Sequence, residues 1–405
     1  MTAKERMRGY LLVTLCYWGF TLSDGALRML VLLHLHEQGQ TAWGLALVLL
    51  PYEAAGVLTN LLGGFLGARF GLKPTLVAGL LLQTLACALL CAEPSSLTVA
   101  YVAATQVLSG VAKDLAKTSA KSYVKALQPP DGTAGLFRWV AALTGSKNAM
   151  KGLGFFLGGA LLSTVGFRET NLFLAALLGG FAALALASLP TVPGRPQATL
   201  RGVLRQDAAM WWLSAARMFL FGSRDAWFAV AVPLYLVGAG WSHLTVGGFL
   251  AVWVLVYGVV QAAAPRLTRG TDPARGARAT ATWTAALLAP LLPAALLLEP
   301  NDAPATVTAA VLCAYGALFA VTSSLHSWLV VAMHDDARAA ERVGFYYAAN
   351  ALGRLAGTAA SGWLFGAAAD RGDGLTACLW ASCAAVCAAT VLTLPLPAQV
   401  RKRQT

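Results

Sequence analysis

The sequence predicts an all-α membrane protein with twelve transmembrane helices arranged as two six-helix pseudo-repeats. Its composition, its apolar runs and an internal repeat all support this fold class. Hydrophobic residues make up 58% of the 405 residues and charged residues only 12%, which is about half the charged share of a typical soluble chain. So few charges cannot cover so much apolar sequence in water, which excludes a soluble protein.

Apolar runs give the number of spans. A transmembrane helix needs about 20 mostly apolar residues, and we find twelve such runs between charged or Pro/Gly/Asn breaks. Spans 1 to 12 lie near residues 9–34, 42–67, 74–92, 97–117, 138–164, 171–189, 209–237, 244–264, 280–298, 304–333, 344–368 and 375–396.

Basic residues in the loops predict the orientation. Twenty loop cations fall on the side of the amino terminus, whereas only Arg168 and Arg371 fall on the opposite side. Both termini are therefore predicted to be cytoplasmic. The net charge of +12 then reflects topology and attraction to the lipid surface, and we expect no nucleic-acid partner.

An internal repeat divides the chain. A proline-rich linker at 190–207 is predicted to separate two six-helix bundles, at 1–189 and 208–405. The pairs Ser23-Asp24 and Arg224-Asp225 match at an offset of 201, and Asn148 matches Asn350 at an offset of 202. These matches favour a duplicated six-helix unit.

The loop between spans 2 and 3 resembles a known family signature. Residues Gly64 to Lys73 are similar to the G-x-x-x-D-R-x-G-R-K motif of the major facilitator superfamily, although Ala68 and Leu72 replace an acidic and a basic residue. The charge relay typical of this loop is therefore not expected. The resemblance implies a major facilitator fold, with a substrate site between the halves near the midplane.

Charged residues inside the spans are the candidate functional residues, because each costs roughly 2.5–3.5 kcal/mol near a helix centre unless it is paired or hydrated. The basic ones are Arg28, Lys113, Lys117, Lys147, Lys151, Arg217, Arg224 and Arg354. The acidic ones are Asp24, Glu53, Asp114 and Asp225. Several are one helical turn apart and share a helix face. Together they predict a polar cavity with excess positive charge.

This excess predicts a small substrate with two acidic groups, which arginine binds in bidentate fashion and lysine binds as a point charge. The expected substrate-binding residues are Arg28, Lys113, Lys147, Lys151, Arg217 and Arg224. Asn148, Asp114, Lys117 and Arg354 are expected to support them. Ion pairs between helices, or lysines that reach the membrane surface, are the alternative roles for these cations.

Three carboxylates are candidates for proton coupling: Asp24, Glu53 and Asp225. A desolvated carboxyl group holds a proton more readily, and a neighbouring arginine has the opposite effect, so substrate binding at the arginine could switch protonation. Asp24 has Arg28 at helical spacing, whereas Glu53 has no cation at helical spacing and could carry a proton alone. A static role in ion pairs is the alternative for all three.

Catalytic, metal and cofactor sites are not expected. The seven cysteines lie within apolar runs, and the five histidines lack ligand spacing, which favours structural roles in the core or at interfaces. No nucleotide-binding loop, nucleophile elbow or zinc-protease motif occurs. The chain is therefore expected to be a transporter without a cofactor.

Four charged runs resemble the ArsJ-type organoarsenical efflux permeases. They are Trp18–Leu30, Leu108–Lys121, Leu143–Gly159 and Ser214–Asp225. The resemblance implies export of 1-arseno-3-phosphoglycerate, which glyceraldehyde-3-phosphate dehydrogenase makes when arsenate replaces phosphate. It further implies arsenate resistance, a bacterial inner-membrane location and a monomer driven by proton antiport. Recognition is expected mainly in the amino-terminal half and span 7. A sugar-phosphate exchanger of the same fold is the nearer alternative, and a membrane-embedded enzyme the more distant one.

Overall fold

The computed structural model describes residues 3–127, 133–191, 206–268, 273–297, 304–332, 339–368 and 373–404. Within these residues the chain folds into α-helices, one short 3-10 turn at Pro94–Ser96 and connecting loops, without a β-strand. The predicted all-α class is thus confirmed.

The first half of the sequence forms six long helices. They are α1 Ala3–Glu37, α2 Ala42–Phe70, α3 Leu72–Leu89, α4 Val99–Ala126, α5 Thr133–Thr164 and α6 Phe167–Ser188. Helix α4 continues nine residues beyond its predicted span, and α5 begins five residues earlier than predicted. The extension of α4 is more polar than the apolar run from which its span was predicted.

The second half of the sequence forms a larger number of helices, several of which are short. Its helices are α7 Ala208–Phe228, α8 Ala231–Gly238, α9 His243–Thr268, α10 Pro273–Ala286, α11 Leu288–Leu297, α12 Ala305–Ala332, α13 Ala339–Ala367, α14 Gly374–Thr393 and α15 Leu396–Gln404.

Proline explains two of these breaks. Predicted spans 7 and 9 are each divided into two helices, α7 with α8 and α10 with α11. Pro233 and Pro290 stand four residues after Ala229 and Ala286, where the preceding helices end or have just ended. A proline ring crowds the carbonyl four residues earlier and has no N–H to bond it, so the helix is interrupted there.

Eight helical stretches in the described part of the chain are long and apolar enough to cross a bilayer. The four predicted spans outside this set fall on α1, α4, α5 and α13, which are between 28 and 35 residues long and carry charges. Large apolar side chains such as Val259 and Trp363 remain 70% and 60% exposed, as a lipid-facing surface requires. A multi-pass membrane protein is confirmed, and the number twelve stays a prediction.

The chain divides into two compact units. Unit 1 comprises Met1–His34, Leu58–Leu200 and His243–Val254, and unit 2 comprises Leu35–Val57, Arg201–Ser242 and Leu255–Thr405. Each unit therefore contains one helical segment from the other half of the sequence. The predicted linker at 190–207 lies largely outside the described residues, so its boundaries stay a prediction.

A turn repeats at the offset found in the sequence. Gly39 and Gly240 both have positive φ angles, 82° and 83°, which glycine adopts without strain. Their N–H groups donate to the carbonyls of His36 and Val237, both over 2.9 Å. The two turns are 201 residues apart and lead into α2 and α9, which also begin 201 residues apart. This correspondence supports the predicted duplication.

Glycine allows close helix crossings inside each unit. In unit 1, a Cβ placed on Gly158 of α5 would lie 2.5 Å from the carbonyl oxygen of Ala26 in α1. In unit 2, a Cβ on Gly357 of α13 would lie 2.6 Å from the carbonyl oxygen of Gly222 in α7. Because no side chain fits at these crossings, the backbones approach closely, as is common between membrane helices.

We expect Gly158→Ala to lower the unfolding temperature of the purified protein, because overpacking costs about 1–3 kcal/mol. Gly179→Ala in α6 is the matched control, since nothing lies within 4 Å of a Cβ at that position. The control should keep or slightly raise the unfolding temperature, because alanine favours a helix over glycine. Equal unfolding temperatures for both variants would contradict the close crossing of α1 and α5.

Candidate functional site

The predicted site residues are distributed over both units. Unit 1 holds Asp24 and Arg28 on α1, Lys113, Asp114 and Lys117 on α4, and Lys147, Asn148 and Lys151 on α5. Unit 2 holds Glu53 on α2, Arg217, Arg224 and Asp225 on α7, and Arg354 on α13. In each unit the cations outnumber the carboxylates.

Arg354 is the centre of an ion-pair network in unit 2. Its Nη2 donates to Oε1 of Glu53 over 2.5 Å, and its Nε donates to Oδ2 of Asp225 over 3.0 Å. Asp225 also accepts at Oδ1 from Nε and Nη2 of Arg224, over 2.6 Å and 2.5 Å. Both carboxylate side chains are almost completely buried. Two arginines and two carboxylates thus neutralise one another across three helices.

The glycine crossing of α7 and α13 explains why this network can form. A Cβ on Gly357 would lie 2.9 Å from Cβ of Asp225, so Asp225 packs directly against the α13 backbone. Arg354 precedes Gly357 by three residues and shares its face of the helix. The close approach therefore places the guanidinium beside the carboxylate.

The network corrects the expectation that Glu53 stands without a cation. Arg354 is 301 residues away in the sequence, so helical spacing within α2 could not reveal the pair. Arg354 was predicted only to support the substrate-binding residues, whereas in the structure it contacts two of the three candidate coupling carboxylates.

Arg217 is bound differently, by neutral groups. Its side chain is buried, at 4% exposure. Its Nε donates to Oδ1 of Asn350 over 3.0 Å, and its Nη1 donates to the carbonyl oxygen and to Oγ of Ser323, both over 3.1 Å. Among the residues that the structure describes, no carboxylate pairs with Arg217. Arg217 therefore keeps a positive charge that no described residue neutralises.

Aromatic rings surround this guanidinium. Cζ of Arg217 lies 4.0 Å from the ring centre of Phe221 and 5.0 Å from that of Tyr346. Cζ of Arg224 lies 4.8 Å from the same Phe221 ring. The ring thus lies between two arginines of α7. Its faces attract the two cations but supply no countercharge.

Asp114 organises the α2–α4 contact in unit 1. It forms an ion pair with Lys117, one turn later on α4. Its Oδ2 accepts from Oγ1 of Thr59 over 2.6 Å and from Nδ2 of Asn60 over 3.3 Å. Nζ of Lys117 also donates to Oδ1 of Asn60 over 2.7 Å. Two of the predicted supporting residues therefore form one buried polar cluster.

Helices α1 and α5 meet at the remaining unit 1 candidates. Nε1 of Trp18 donates to Oγ of Ser146 over 2.8 Å. A Cβ on Gly25 would lie 2.7 Å from the carbonyl oxygen of Lys151. Because Gly25 follows the buried Asp24, this close approach of the two helices occurs next to two of the predicted charges, Asp24 and Lys151. Lys147, Asn148 and Lys151 are half-buried there.

Sequence reasoning missed the partners of Arg217. Recognition was expected mainly in the amino-terminal half and span 7, yet Ser323 and Asn350 come from α12 and α13. Asn350 could have been found, because it matches Asn148 in the repeat and Asn148 was already a candidate. Ser323 matches no candidate residue in the other repeat, so no sequence pattern singled it out.

The remaining predicted features have less bearing on the site. All seven cysteines are free thiols, and no group of three potential metal ligands occurs among the described residues. In the loop that resembles the facilitator signature, the side chains of residues 63–70 lie outside the described residues. Gly71 in that loop immediately precedes α3 and has a φ of 84°.

Comparison with known proteins agrees with this architecture. A search of curated proteins returns no match. A comparison with protein families matches residues 9–358 to the Major Facilitator Superfamily, which is most of the chain. The chain therefore belongs to the major facilitator superfamily.

Proposed function

We propose that the protein exports a doubly anionic organoarsenical, 1-arseno-3-phosphoglycerate, and thereby confers arsenate resistance. Membership of the superfamily implies a secondary transporter rather than an enzyme. The observation that carries the proposal is the buried Arg217 guanidinium, whose described partners are all neutral. A buried charge without a countercharge is costly, and an anionic substrate would offset that cost.

The chemistry of the site favours a tetrahedral oxyanion. A guanidinium presents its N–H groups in a planar fork that matches two oxygens of a phosphate or a similar group. Asn350 and Ser323 hold this fork through only two of its nitrogens. Oxygens of a substrate could use the remaining donors or replace the neutral partners.

Unit 1 also has more cations than carboxylates among its candidate residues. They comprise five cations and two carboxylates. The proposed substrate carries a phosphate at one end and an arsenate group at the other. We propose Arg28, Lys113, Lys147, Lys151, Arg217 and Arg224 as the substrate-binding residues.

The arsenical itself is proposed from the resemblance of four charged runs to the ArsJ-type permeases. Glyceraldehyde-3-phosphate dehydrogenase would supply the substrate in the cytoplasm, and hydrolysis outside the cell would release arsenate. Pentavalent arsenic needs no thiolate ligand. The protein would act as a monomer in a bacterial inner membrane, with both termini in the cytoplasm.

Proton coupling is proposed at the Arg354 network. Glu53 and Asp225 share Arg354, and Asp225 also pairs with Arg224, so movement of the Arg354 guanidinium away from Glu53 would leave the buried Glu53 carboxylate without this ion pair. Protonation would remove that charge. An anion that competes for Arg354 or Arg224 would therefore favour proton uptake by a carboxylate. Asp24 in unit 1 remains the third candidate.

Everted membrane vesicles that contain the protein test the proposed function. Arsenate, glyceraldehyde 3-phosphate, NAD and the dehydrogenase are supplied outside, and arsenic is counted inside. We expect accumulation that needs all four additions and collapses with a protonophore. Accumulation without the dehydrogenase would mean that free arsenate is carried, and would contradict the proposal.

The sugar-phosphate alternative predicts a different result in the same vesicles. An organophosphate exchanger would show phosphate-driven counterflow, and plain 3-phosphoglycerate would be transported in place of the arsenical. We expect neither to replace the arsenical as the preferred substrate.

We expect Arg217→Gln to abolish arsenic accumulation while the protein still reaches the membrane. Glutamine retains hydrogen bonding but lacks the charge that attracts the anion. Arg278→Gln is the matched control, because Arg278 is exposed on α10 and its loss removes the same charge. Vesicle transport and membrane content should be measured together. Full transport by Arg217→Gln would show that Arg217 does not bind the substrate.

We expect Glu53→Gln to lose proton-driven accumulation but to keep exchange of substrate across the membrane. The amide oxygen can still accept from Arg354, but the side chain can no longer bind and release a proton. Glu93→Gln, at an exposed position, controls for the lost charge. Pumping against a gradient by Glu53→Gln at the wild-type rate would exclude Glu53 as the coupling residue.

A further inference from the structure

His326 is a buried histidine for which no role has been given. It lies on α12 in unit 2, and its side chain is fully buried, at 0% exposure. Neither Nδ1 nor Nε2 has a hydrogen-bond partner among the residues that the structure describes. More than about 90% of buried polar groups in folded proteins have a partner. A fully buried imidazole without a hydrogen-bond partner on either nitrogen is therefore an exception, and it lowers the stability of the folded protein.

His326 belongs to the surroundings of Arg217. It follows Ser323 by three residues on α12, so both side chains project from the same helix face. Ser323 accepts from Arg217, and its Oγ also accepts from the Tyr257 hydroxyl over 3.2 Å. The unpartnered imidazole thus lies one helical turn from the serine that holds the unneutralised guanidinium.

We propose that His326 and Arg217 bind the same tetrahedral oxyanion group, with a ring N–H of His326 donating to one of its oxygens. The oxyanion would supply what each residue lacks: a negative charge for the guanidinium and an acceptor for the imidazole. A neutral imidazole has one donor and one acceptor nitrogen, so it can serve this role without adding a second cation. The inference rests on the proposed function for the identity of the cargo, but the oxyanion site can be tested separately.

A ligand-binding role and a packing role for His326 predict opposite effects of the substitution His326→Leu on stability. Leucine is close to histidine in size and has no polar atom. If His326 is kept for a ligand, His326→Leu removes an unsatisfied buried group, so the ligand-free protein should become more stable while ligand affinity falls. If His326 is needed for the fold, the same substitution lowers stability.

The test is a thermal unfolding series on the purified full-length protein with increasing 3-phosphoglycerate or inorganic arsenate. We expect His326→Leu to raise the unfolding temperature without ligand and to weaken binding of at least one of these anions by about tenfold or more, as expected for a lost hydrogen bond to a charged group. His326→Gln, which restores an N–H donor, should regain part of the affinity.

A second histidine provides the control. The His34 ring stacks on Phe167 in unit 1, with 4.0 Å between ring centres. We expect His34→Leu to leave the affinity for the anion unchanged and to lower or maintain stability, because that ring already has a packing partner.

The other outcomes are equally decisive. Wild-type affinity in His326→Leu would overturn the inference and leave the proposed function intact. The absence of any shift in the wild-type protein with either anion would overturn the oxyanion site at Arg217 and His326. Binding that needs His326, combined with no arsenic accumulation in vesicles, would refute the arsenical export and keep the site.

Discussion

The ion pairs of Arg354 with Glu53 and Asp225 join α2, α7 and α13 within unit 2, and the surrounding structure makes them possible. Glycine at position 357 brings α13 against α7, so the Arg354 guanidinium reaches Asp225 directly. A buried ion pair contributes little net stability, but removal of one partner costs about 3–5 kcal/mol, because a charge is left unpaired. Once such a network exists, each of its members is held in place by the others.

Arg217 lies two helical turns from Arg224 on the same helix but, unlike Arg224, has only neutral partners among the described residues. Its partners are an amide, a hydroxyl, a carbonyl and aromatic rings, which orient the guanidinium but leave its charge unneutralised. The two arginines of α7 therefore differ in their surroundings. Arg224 pairs with Asp225, whereas the described partners of Arg217 are all neutral.

Much of this organisation could be predicted from the sequence. Charges within apolar runs identified α1, α4, α5, α7 and α13, because a bilayer tolerates such residues only for a reason. Contacts between distant residues could not be predicted, since the partner of Glu53 is 301 residues away and helical spacing describes only one helix at a time. His326 was interpreted as an ordinary core histidine, because a sequence cannot show whether a ring nitrogen has a partner. The breaks at Pro233 and Pro290 were predictable from proline chemistry, but the apolar runs concealed them.

The most direct test of the account is an experimental structure of the complete protein with its anionic substrate or 3-phosphoglycerate bound. We predict a tetrahedral group with oxygens about 3 Å from the Arg217 guanidinium, and with Asn350 or Ser323 displaced or sharing that guanidinium. The account would be contradicted if the anion were bound elsewhere, with Arg217 still held only by Asn350 and Ser323.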